Sequence, residues 1–130
     1  MQIREKEAVK LLPAEDFIIN NLSKKQMLEL AAKMDCQLRP SAAKLTCAQQ
    51  LAQLYLYFPN QLHRVLDEAG HACLRRMLAQ NCEGPADAPG VETLVRLGIA
   101  QILTQGDQTL AVVPKAYAQS AAAMEPRSDA

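Results

Sequence analysis

Proline and glycine divide this chain into short pieces, and their placement limits the fold more than any other feature. Pro13, Pro59, Gly70, the Gly84–Gly90 stretch, Gly98 and Pro114 fall between segments that otherwise carry helical or strand periodicity. Proline removes a backbone donor, and glycine is the residue that most readily ends a helix, so long helices are ruled out. The segments between the breakers must bury their apolar faces against one another.

The clearest helix start is Leu22-Ser23-Lys24-Lys25-Gln26-Met27. Ser23 and Gln26 have the spacing of a capping box, and Leu22 and Met27 that of a hydrophobic staple. Met27, Leu30, Ala31 and Met34 then form one apolar face. A connection over Cys36–Leu45 follows, marked by Pro40 and Ser41, with Leu38 directed inward. Thr46 and Gln49 predict a second capping box, and Cys47, Leu51, Leu54, Tyr55 and Phe58 a second stripe. Before these, Ala14–Asn21 reads as a short helix carrying Phe17, Ile18 and Ile19.

Pro59 closes the second stripe and suits the first turn of the next helix, which carries Leu62, Val65, Leu66 and Ala69 and is ended by Gly70. His71–Gln80 is a further helix, with Cys73, Leu74, Met77 and Leu78 apolar. Residues 81–90 read as a loop by composition. Val91, Leu94 and Val95 make one more stripe, closed by Gly98. The period then changes to two. Ile99–Thr104 and Thr109–Val113 flank Gly106-Asp107, the pair a type II′ hairpin turn prefers. Lys115–Met124 is expected to be a last helix and Glu125–Ala130 a disordered tail.

The expected fold is therefore mainly α, with five to seven short helices and one C-terminal β-hairpin. Three parts are expected: 1–58, helical; 59–114, helices plus hairpin; and 115–130. In a chain of 130 residues the first two must share one core. With only 4% aromatic residues and no tryptophan, that core is aliphatic and rich in small residues, which suits close helix packing.

Charge narrows the function. Fourteen basic and fourteen acidic residues give a net charge of zero. Phosphate neutralisation drives most nucleic-acid affinity, so such binding here requires a local basic patch. Residues 1–50 hold eight basic side chains against six acidic ones. Lys24, Lys25, Lys33, Arg39 and Lys44 are the candidate phosphate contacts. Two lysines at a helix start oppose the helix dipole, an arrangement that a bound anion would reverse.

Leu28-Glu29-Leu30-Ala31, Met34, Leu38, Lys44 and Leu51 together resemble the SAP and Rho-N-terminal type of helix–extended–helix module. That resemblance covers residues 22–51 and implies DNA or RNA binding. Pro40-Ser41-Ala42-Ala43 stands where the family places a glycine before the lysine.

The order helix, helix, helix, two strands over 59–114 is that of a winged helix, and Leu94-Val95-Arg96-Leu97-Gly98-Ile99 is similar to the end of such a helix running into its wing. DNA-reading wings carry basic residues. Here Arg96 has Glu92 one turn before it, no Lys or Arg occurs from Leu97 to Pro114, and Asp107 sits at the tip. A hairpin of this kind suits packing, dimerisation or a protein partner. Tyr57, off the core stripe, and Gly106 and Asp107 at the tip are the candidate protein-interface residues.

No catalytic residue, metal or cofactor is expected. Asp67, Glu68 and His71 surround a helix end and match no nucleophile–base pattern. His63, His71, Cys73 and Cys82 lack the Cys-x₂₋₄-Cys pairs of structural zinc sites. No apolar run reaches the ~20 residues of a membrane span. The charged N-terminus is no signal peptide, so free thiols and a cytoplasmic location are expected, with no membrane partner. The functional expectation is a small non-enzymatic adaptor that holds nucleic acid through its N-terminal half. The alternative is a protein-interaction module: a regulator, an inhibitor or a homodimer.

Overall fold

A computed structural model describes residues 5–120, with backbone only at position 105. The tail expected at 125–130, and the end of the helix expected before it, lie outside the described residues. The elements run α1 (Glu5–Lys10), α2 (Ala14–Asn21), α3 (Lys24–Lys33), α4 (Lys44–Tyr57), α5 (Pro59–Leu62), α6 (Glu68–Ala79), β1 (Glu83–Pro85), α7 (Val91–Leu97), β2 (Gln101–Gln105) and β3 (Gln108–Val112), then a 3₁₀ helix, Lys115–Gln119. The chain is mainly helical, with a small three-stranded antiparallel sheet towards its C-terminus.

The first capping box forms as its spacing predicts. Gln26 N donates to Ser23 Oγ at 3.1 Å, and Ser23 N donates to Gln26 Oε1 at 2.8 Å. The second box does not form. Helix α4 begins at Lys44 after an extended Ala43 with no side-chain cap, which places Thr46 inside the first turn. A cap contributes only about 1 kcal/mol, whereas burial of Cys47, Ala48, Leu51, Ala52 and Tyr55 fixes the helix from its inner face.

Gly70 is not a helix end. Asp67 is the N-cap of α6 and accepts from Gly70 N at 2.7 Å. The chain breaks earlier: α5 is a single turn led by Pro59, and α6 starts only at Glu68. The space at this position is tight, and a larger residue would displace neighbouring side chains. A Cβ there would lie 2.6 Å from Leu66 Cδ1 and 3.2 Å from Thr93 Cγ2, where α7 meets α6.

The proline- and glycine-rich stretch read as a loop contributes a strand. Asn81 and Cys82, both at φ 61°, turn the chain out of α6 into β1. Strand order in the sheet is β1-β3-β2, and along the chain from Pro59 the elements run helix, helix, strand, helix, two strands. Gln105 pairs with Gln108 across the two-residue turn Gly106–Asp107, with Gly106 at φ 58°, the sign a II′ turn requires there.

Strand alternation and register place Glu83, Pro85, Leu103, Leu110 and Val112 on one face, and Gly84, Ile102 and Ala111 on the other. The first face meets Phe17 of α2 and Val9 of α1. The second face joins the main core, which draws on both halves: Ile18, Met27, Leu51 and Tyr55 with Leu74, Leu94, Ala111 and Val113. Side-chain hydrogen bonds to backbone carbonyls also join the halves. Tyr55 Oη donates to Leu97 O at 2.8 Å and Asn21 Nδ2 to Ala100 O at 2.9 Å.

Candidate functional site

The five basic residues lie on α3, on the connection after it and at the start of α4. Lys24 Nζ donates to Pro40 O, which draws the connection after α3 back beside the start of that helix. Lys25, Arg39 and Lys44 are exposed. Lys33 closes the other end of α3, about 13 Å away along the axis. The capping box also uses two donors that a phosphate would otherwise take, the amides of Ser23 and Gln26.

The aromatic residues divide cleanly. Phe17, Tyr55 and Tyr117 are fully buried, whereas Tyr57 is 63% exposed and Phe58 49% exposed. Tyr57 lies where its off-stripe position predicts. Phe58 departs from its expected place on the core stripe, because α4 ends at Tyr57 and Phe58 takes φ −127°, ψ 77°. The helical projection no longer applies at that residue, and the side chain swings outward. Tyr57 and Phe58 thus form an exposed aromatic corner between α4 and α5. It lies about 20 Å along α4 from Lys44, so the aromatic corner and Lys44 occupy opposite ends of one helix.

Gly106 and Asp107 are exposed at the hairpin tip. Ile102 is also exposed and borders an open groove of about 620 Å³, bounded by residues 86–92, Val95 and Arg96.

The titratable groups near the core are engaged or suppressed. Asp67 caps α6 and also accepts from Thr93 Oγ1 at 3.4 Å. The His63 and His71 rings meet edge to face at 4.9 Å. Cys73 Sγ lies 3.8 Å from Met77 Sδ. Burial pushes the Cys73 and Cys82 thiols up, away from the nucleophilic thiolate. Burial also raises the phenols of Tyr55 and Tyr117. Among the described residues no group of three or more His, Cys, Asp or Glu side chains is arranged to hold a metal ion, and no helix is long and apolar enough to cross a membrane.

One cluster has no counterpart in the sequence expectations. Lys10, fully buried, donates to Glu7 Oε2 and to Glu83 Oε1, each at 2.7 Å. Lys6 donates to Glu83 Oε2 at 3.0 Å. Burial opposes the charge on Lys10, but the Glu7 and Glu83 hydrogen bonds outweigh it and hold the ammonium above its ordinary range. Burial likewise opposes the Glu83 charge, and the Lys10 and Lys6 hydrogen bonds reverse that. The Lys10 hydrogen bond lowers Glu7. The i, i+3 spacing of Glu7 and Lys10 is visible in the sequence; the pairing with Glu83 across the fold is not.

No protein-family model matches the chain, and neither a curated protein nor a solved structure matches it at a significant level.

Proposed function

We propose that the protein is a non-enzymatic interaction module that docks a protein partner on the Tyr57–Phe58 corner. The observation that carries this is the division of the aromatics. In a chain with three tyrosines and two phenylalanines, two neighbours stand at the surface while the other three are fully buried. Exposed, adjacent aromatic anchors concentrate binding energy at protein interfaces. Zero net charge and the unbasic hairpin agree with a partner held by apolar contact. The free cysteines fit a reducing cytoplasm.

The test is a quantitative pull-down with the wild type, a Tyr57→Ser/Phe58→Ser variant and a Lys25→Glu variant. The expected partner survives raised salt and Lys25→Glu, and is lost with the aromatic pair. Light scattering separates a second copy of the chain from a different protein.

The second reading, nucleic-acid binding, is favoured by Lys24 and Lys25 at the start of α3 with Arg39 next to Pro40, which Lys24 bonds, and by the resemblance of residues 22–51 to the SAP type. It predicts binding that weakens steeply with salt and whose salt slope falls on charge reversal at Lys25. Absence of DNA or RNA binding at ~50 mM salt, where such contacts are strongest, rejects it.

A further inference from the structure

We propose that α1 is a releasable strap, closed by an ionic latch over the apolar face of the sheet. The strap is a helix of six residues, too short to hold its own conformation in water. Its attachment has two parts. Val9 packs against Phe17, Leu103 and Val112. Lys6 and Lys10 reach Glu83 on β1, at 3.0 and 2.7 Å. Glu83 pairs with Val112, so the latch sits at the edge of the same face that Val9 covers.

The parts beneath do not depend on the strap. Helix α2 is anchored in the main core by Ala14, Ile18 and Leu22, and β3 by Ala111 with Val113 just beyond its end. Strands β2 and β3 are also paired over five residues. The chain between strap and core is an exposed hinge: Leu11 is 70% and Leu12 37% exposed, and Pro13 is exposed as well. Release of α1 therefore uncovers Phe17, Leu103 and Val112 without unfolding what holds them. This makes α1 a releasable cover on an apolar face, separate from the Tyr57–Phe58 corner.

The latch is the weak point because its Glu83 end is a single side chain. Glu83→Gln keeps an oxygen acceptor but removes the charge that holds both lysines. Local opening is read by amide hydrogen exchange, which distinguishes sub-global release from global unfolding. In the wild type, α1 amides are expected to exchange well before those of α4. In Glu83→Gln they exchange about tenfold faster again or more, with α4 and α6 unchanged. Binding of a hydrophobic fluorescent dye rises in parallel. Wild-type α1 exchanging at the rate of α4 overturns the proposal without any variant. So does Glu83→Gln that leaves α1 unchanged, or that speeds every helix alike.

Discussion

Tyr55 and Tyr57 stand two residues apart on α4 and have opposite roles. Tyr55 is fully buried and its hydroxyl is bonded to Leu97 O, while Tyr57 is 63% exposed. Helical geometry explains the separation, since residues two apart point to nearly opposite sides. The difference shows how a chain with few aromatics distributes them. One ring joins the N-terminal helices to α7; the other, with Phe58 beside it, stands exposed.

The largest effect is expected at the buried ring. Tyr55→Ala removes an aromatic from the core and strands the Leu97 carbonyl, at a cost of about 3–5 kcal/mol read from denaturant unfolding. Tyr55→Phe keeps the ring and loses only the hydrogen bond, about 1 kcal/mol. At the exposed corner the pattern inverts. Tyr57→Ser with Phe58→Ser is expected to change stability by less than about 0.5 kcal/mol per residue while weakening partner binding by about 2 kcal/mol or more. If both pairs of variants act on stability alike, the contrast between the two rings fails.

The ionic latch gives a smaller and more local effect. Lys10→Met keeps the apolar stem and removes the charge, and its cost cannot exceed the free energy that docks α1. A loss of about 1–2 kcal/mol is expected, confined to α1 in hydrogen exchange.

Acid acts on the same groups. Glu7 and Glu83 are held below the ordinary carboxylate value of 4.5, so their contribution is complete above it and is lost as pH falls through their lowered folded values. Lys10 is raised, so its share is complete below its ordinary value of 10.5 and is lost only as pH rises through the raised one. Lys6, Cys82 and Lys115 are the other ionisable groups near this cluster. Release of α1 is therefore expected below about pH 4.5, followed by dye binding across an acid titration. The smallest effect is at Lys25, exposed in the first turn of α3. Lys25→Glu complements the helix dipole and is expected to stabilise by a few tenths of a kcal/mol, without changing partner binding.

Much of the fold was legible because it is local. The bounds of α2, the capping box of α3, proline at the start of α5 and the Gly106–Asp107 turn follow from side chains acting within a few residues. The departures come from contacts distant in sequence. Gly70 resembles a helix end until Thr93 is seen packed against it. Strand β1 is too short and too rich in proline and glycine to be read before β3 pairs with it. Burial along α4 overrode the Thr46 cap. The site followed the same division. Tyr57 was visible as an off-stripe aromatic, whereas Phe58 required knowing where α4 stops, and the Lys10–Glu83 pair joins residues that only the fold brings together.

The most direct test of the central claim is partner capture compared across Tyr57→Ser/Phe58→Ser and Lys25→Glu, each first confirmed as folded by unfolding midpoint. A partner that remains bound at raised salt and with Lys25→Glu, but is lost with the aromatic pair, is the predicted result. Unchanged capture by the aromatic variant, or loss of binding with Lys25→Glu and on nuclease treatment, would contradict it.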